Sequence, residues 1–112
     1  MNESVERVRD ALAELIKAAL ISDDRTSLAC RDAARAKFAA LAADPPDAAS
    51  VRVDGAWTLA IQAAEAPEFR DAEGQVNLTL PRAAPFALDD LTAPGFDVDS
   101  AVETIRKSAS TG

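Results

Sequence analysis

The sequence predicts an α+β fold: two N-terminal amphipathic helices packed on a small two- or three-stranded antiparallel sheet, with a partly flexible C-terminal segment ending in a short helix. Three observations predict it. Apolar residues recur at three- and four-residue steps from Val5 to Leu41, the period falls to two from Val51 onward, and Pro81, Pro85 and Pro94 then divide the chain into short pieces.

The first helix rests on Val5, Val8, Leu12, Leu15, Ile16, Ala19 and Leu20, with Glu6, Arg7, Arg9, Asp10, Glu14 and Lys17 between them. Asn2 or Ser4 offers an N-cap oxygen and Glu3 a negative charge at the positive end of the helix dipole, and the helix is expected to end near Ile21. Ser22-Asp23-Asp24 makes a turn and a second cap. Leu28, Cys30, Ala34, Phe38 and Leu41 then form a thinner stripe on an alanine-rich helix antiparallel to the first. Pro45-Pro46 stops it near Asp44, because neither proline donates a backbone hydrogen bond and the residue before a proline avoids helical ψ.

From Val51, the residues Val51, Val53, Gly55, Trp57, Leu59 and Ile61 share one face of a strand and Arg52, Asp54, Thr58 and Gln62 the other. A two-residue turn at Asp54-Gly55 puts Trp57 and Leu59 on the wrong face. A three-residue loop, Asp54-Gly55-Ala56, restores the register, and one long strand bent at Gly55 is the alternative. The acidic stretch Ala63–Gly74 reads as a connection, and Val76, Leu78 and Leu80 alternate with polar residues as a further strand closed by Pro81. The domain is expected to span residues 1–81, and residues 82–112 to form a linker and a short helix. In that helix Ser100-x-x-Glu103 is a capping-box pattern, Val102 and Ile105 share a face, and Arg106 and Lys107 suit the C-terminal end.

Chemistry is sparse. The chain has no histidine and one cysteine, Cys30, which removes Ser-His-Asp and Cys-His nucleophiles, Cys/His zinc sites and any internal disulfide. Cys30 among alanines reads as a small buried apolar residue, and Trp57 as the anchor of the core. Asp23-Asp24 and Asp89-Asp90 read as solvated turn acids. The four glycines are isolated, so no phosphate-binding loop exists, and no cofactor or metal is expected. A formal charge of −7 disfavours nucleic acid and anionic membranes as ligands and favours a basic protein surface. No signal sequence and no run of about 20 apolar residues is present, so a cytoplasmic, non-enzymatic protein is expected.

Three landmarks carry a family resemblance. Phe38-Ala-Ala-Leu41-Ala-Ala-Asp44-Pro45, Leu78-Thr79-Leu80-Pro81 and Leu88-Asp89-Asp90-Leu91-Thr92-Ala93-Pro94-Gly95 resemble landmarks of the nitrile-hydratase-like leader peptides, precursors of ribosomally made, modified peptides. The resemblance implies a folded leader, to about residue 95, that modifying enzymes grip through Phe38, Leu41, Leu78, Leu80, Leu88 and Leu91. It implies cleavage after Gly95 and a C-terminal substrate segment whose Ser100, Thr104, Ser108, Ser110 and Thr111 are candidates for modification. Pro94 departs from the family's small-residue cleavage pair, and the segment lacks cysteine, which excludes thioether and thiazole chemistry there. The alternative is a small acidic interaction protein, either a secretion chaperone (which would be a homodimer), an immunity protein or an inhibitor, or else an accessory subunit of a larger complex.

Overall fold

Among the described residues five α-helices follow one another: α1 (Glu3–Leu20), α2 (Asp24–Ala43), α3 (Val53–Ala64), the four-residue α4 (Leu88–Leu91) and α5 (Val98–Ser108). Two dipeptide strands, β1 (Leu78–Thr79) and β2 (Ser110–Thr111), pair antiparallel with Leu78 opposite Thr111 and Thr79 opposite Ser110. The structure, a computed structural model, describes residues 3–20, 24–47, 49, 51–64, 78–79, 84–108 and 110–111.

α1 sits at the centre and packs against α2, α3 and α5. Its predicted stripe is buried from Val8 onward, and so are Ala11, Ala13 and Ala18 between the stripe positions. An outer helix needs only one apolar face, whereas a helix with three neighbours needs small residues on its other faces so that their backbones can approach. Full burial of Leu12, Leu15 and Ile16 stabilises by about 1.5–3 kcal/mol each, and the alanines mainly permit the close packing. α2 runs antiparallel to α1. Ser27, near its start, donates a hydrogen bond to the Ala18 carbonyl at the end of α1, while Arg7, near the start of α1, reaches the Ala40 carbonyl near the end of α2. α2 ends at Ala43, one residue before Asp44 and just ahead of the proline pair.

The expected α+β class is incorrect. The stretch assigned to strands is α3, whose buried residues Ala56, Trp57, Ala60 and Ala64 follow helical spacing and pack on α1. The alternation of Val51, Val53, Trp57, Leu59 and Ile61 coexists with a second pattern in which Val53, Trp57, Ala60 and Ala64 share a helix face, and the alanine-rich end decides between them. Neither hairpin nor bend occurs at Gly55, which lies in the first turn of α3 outside the left-handed region. The paired dipeptides are too short to form a layer against which helices could pack. The expected connection Ala63–Gly74 begins later, because Ala63 and Ala64 are the last residues of α3; residues 65–74 and the positions Val76, Leu80 and Pro81 lie outside the described residues, as do Asn2 and Ser22-Asp23.

Beyond Pro85 the chain returns to the core. Leu91 of α4 and Val98, Ala101, Val102 and Ile105 of α5 are buried in the same apolar cluster as α1, α2 and α3. Phe96 links α4 and α5 to α2, with its ring 4.5 Å from Phe38 and 5.8 Å, edge to face, from Phe86. The backbone N–H of Ala84 donates to Asp54 at the start of α3. α5 begins one turn earlier than Ser100 suggests: Asp97 accepts from the Ser100 N–H at 3.2 Å, and its carbonyl accepts the first helical bond, from Ala101. The expected capping box at Ser100 and Glu103 is therefore replaced by an Asp97 cap.

Candidate functional site

Three linked ion pairs lie on the face where α2 meets α5. α2 carries Arg25, Arg31, Arg35 and Lys37 against Asp24 and Asp32, a basic surplus within an acidic chain. Asp99, in the first turn of α5, accepts from Arg31 Nη1 at 3.0 Å and from Arg35 Nη2 at 2.8 Å to each carboxylate oxygen, and Arg35 Nη1 holds Asp32 at 2.6 Å. The hydrogen bond from Arg31 is the main influence on Asp99. Partial desolvation opposes it, Arg35 reinforces it, and the carboxyl is held below its usual range.

At the other end of α5, Arg106 donates from Nε to the Ala19 carbonyl and from Nη2 to the Ala18 carbonyl, each at 3.2 Å, and from Nη1 to Glu103. A guanidinium at the end of α1 supplies donors to carbonyls that the helix itself leaves unpaired and places positive charge at the negative end of its dipole. Ser27 donates to the same Ala18 carbonyl at 3.0 Å and is buried. Between these anchors lies a recess of about 290 Å³ lined by Ser27, Leu28, Arg31 and Arg106. Leu28 is 55% exposed, the one large apolar side chain among the described residues that projects into solvent.

Several groups that could carry chemistry have structural roles. Cys30 is half-buried, and its thiol is pushed up by burial and by the nearby Glu14, with Lys17 opposing, which disfavours the reactive thiolate. Asp54, Asp90 and Asp97 accept backbone N–H groups. No group of three metal-ligating side chains occurs among the described residues, and no buried side-chain nitrogen or oxygen there lacks a hydrogen-bond partner. No described helix is long and apolar enough to cross a membrane.

The residues expected to contact a partner fall mostly inside the protein. Phe38, Leu41 and Leu91 are buried and Leu88 half-buried in the core, Leu78 lies in β1, and Leu80 is outside the described residues. Gly95 is exposed in the turn between α4 and α5, with open space where a side chain would project. Ser100 and Ser108 are exposed on α5. Thr104 is half-buried and donates to the Ser100 carbonyl. Ser110 and Thr111 form β2, so the fold brings them beside Leu78. Leu28, Arg31 and Arg106 were not singled out as a site by the sequence. The available signal was phase: Ser27, Cys30, Ala34, Phe38 and Leu41 make a continuous helix face that excludes Leu28. No family model, curated protein or solved structure matches the chain.

Proposed function

We propose that this chain is a non-enzymatic protein that acts by being bound and handled by other proteins. The observation that carries the reading is the exposure of Leu28 at the mouth of a recess walled by two helices, with Arg31 and Arg106 fixed on either side. A single exposed leucine is common on protein surfaces; what supports the reading is that this one stands beside two fixed guanidiniums in a recess shared by two helices. The committed state of Cys30 and the structural use of the carboxylates support the same reading.

Within it, the precursor role is supported by the exposure of Gly95, Ser100 and Ser108. Phe38, Leu41 and Leu91 are buried in the folded chain, whereas Leu28 offers a modifying enzyme an exposed contact. The test is co-expression of the tagged full chain with each protein encoded beside it, followed by gel filtration and intact-mass measurement. Co-elution with one of them is expected, with a changed mass if the chain is a modification substrate. Elution alone and unaltered with every neighbour overturns the proposal.

A further inference from the structure

α5 is held to the core by charged groups at its two ends and by a narrow apolar stripe between them. We infer that α5 is a strap that opens as one unit from the otherwise folded core of α1, α2 and α3, and that the pairing of Asp99 with Arg31 and Arg35 is the catch that governs the opening. The opening is a property of the chain itself, so it goes beyond the partner-binding reading and does not rest on it.

Size, packing and connection make α5 the helix that releases first. Its 11 residues are fewer than an isolated helix needs to persist in water, so its helical state depends on docking. It buries Val98, Ala101, Val102 and Ile105, whereas α2 and α3 bring the larger Phe38, Leu41 and Trp57 to the same core. α1 packs on α2 and on α3 through contacts in which α5 has no part, so that core survives its departure. The pivot is Asp97. Just before it, Phe96 is held by the Phe38 and Phe86 rings and by its N–H bond to the Ala93 carbonyl. Asp97 itself is exposed and makes both its hydrogen bonds to α5, with the Ser100 and Ala101 N–H groups. Beyond α5, the pairing of β1 with β2 spans two residues on each side, too few to hold a helix down.

The anchors make the opening all-or-none. Asp99 accepts from Arg31 and Arg35 of α2 at one end, and Arg106 donates to the Ala18 and Ala19 carbonyls of α1 at the other. A helix of three turns that loses either end keeps too little to stay docked by the other, so the two let go together. One carboxylate carries both arginines and thus controls the α2 end. With Asp99 56% and Arg35 42% exposed, water and salt reach the catch, and ionic strength favours opening. Release uncovers the side of α1 beneath α5 and frees the Thr104 hydroxyl, which in the closed state is half-buried and bonded to the Ser100 carbonyl.

The test is amide exchange of the isotope-labelled full chain, followed by NMR at urea concentrations below the unfolding transition. The amides of Ala101 to Lys107 are expected to exchange about tenfold or more faster than the slowest amides of α1, with one shared urea dependence weaker than that of α1. Arg35→Gln weakens the closed state alone, so it is expected to speed the α5 amides and the slowest α1 amides by the same factor, about threefold. Asp99→Asn releases both arginines and does more, and adding Arg35→Gln to it changes little. Both positions are exposed, and unchanged circular dichroism spectra verify that the variants keep the fold. α5 amides that follow the rate and urea dependence of α1 overturn the inference, because α5 then opens only with the whole chain. Rates that fall steadily inward from Ser108 overturn it as fraying. Rates in Arg35→Gln that rise in α1 but not in α5 remove the catch and overturn it equally.

Discussion

Replacing Gly55 by alanine separates the helical fold from the hairpin that the local sequence suggests, because the two give opposite signs. In the structure Gly55 is the third residue of α3, exposed and outside the left-handed region, and an added Cβ meets nothing nearer than the Arg52 Cβ at 3.9 Å. Alanine therefore fits without strain. In a helix interior it is favoured over glycine by about 0.8–1 kcal/mol, both through propensity and by restricting the unfolded chain. Position in the first turn, where Ala56 makes the first bond back to Arg52, reduces the gain to about 0.5 kcal/mol. For a domain of this size that corresponds to a thermal midpoint raised by about 2–4 °C. Far-UV circular dichroism through heating and urea unfolding reads both quantities. At a hairpin turn requiring positive φ the same substitution lowers stability by 1 kcal/mol or more. A fall in midpoint of several degrees would refute the placement of Val53–Ala64 in a helix.

Three further outcomes follow from other contacts. Asp97→Ala removes the cap of α5 and is expected to cost about 1 kcal/mol in urea unfolding, while Ser100→Ala changes stability by less than about 0.5 kcal/mol; equal effects would restore the cap to Ser100. Asp99 has a folded pKa below its usual 3.8, so its contribution is full above that value and is lost as pH falls further, through the folded pKa; Asp99→Asn should flatten the acid limb of the stability profile below about pH 4, measured by urea midpoints, and an unchanged limb would remove the pairing with Arg31 and Arg35 as its cause. Iodoacetamide should alkylate Cys30 at pH 8 more slowly than it alkylates N-acetylcysteine, and at the free rate in urea; equal rates in the native state would contradict the raised thiol pKa.

α1 was readable because its apolar residues are bulky and fit a single period, so its burial followed from pattern alone. The segment after Val51 was misread because Val53, Trp57 and Ile61 satisfy both periods, and the residues that separate them, Ala56, Ala60 and Ala64, carry too little apolar area to register beside valine and tryptophan. The start of α5 was misplaced by one turn for a related reason. Both Asp97 and Ser100 are capping residues, and only the stripe Val98, Ala101, Val102 and Ile105 shows which comes first. At the candidate site, Leu28 looked like a core residue, whereas the structure buries its neighbour Ser27 and exposes Leu28. Their exchange depends on the Ala18 carbonyl, which needs a donor, and that requirement arises between helices rather than within either segment.

The bond from Arg106 to the carbonyl end of α1 joins groups 87 and 88 residues apart in sequence, and this orders events during synthesis. A contact of that span closes late, after the local pairing of α1 with α2. Ser27 can serve the Ala18 carbonyl as soon as α2 emerges, but the guanidinium arrives with α5, the last of the described helices to leave the ribosome. Until then, the side of α1 that α5 will cover faces water, and Thr104, half-buried in the finished protein, is not yet held in a docked helix. A cellular factor acting on the nascent chain thus meets a different surface, and more accessible hydroxyl groups, than one acting on the finished protein.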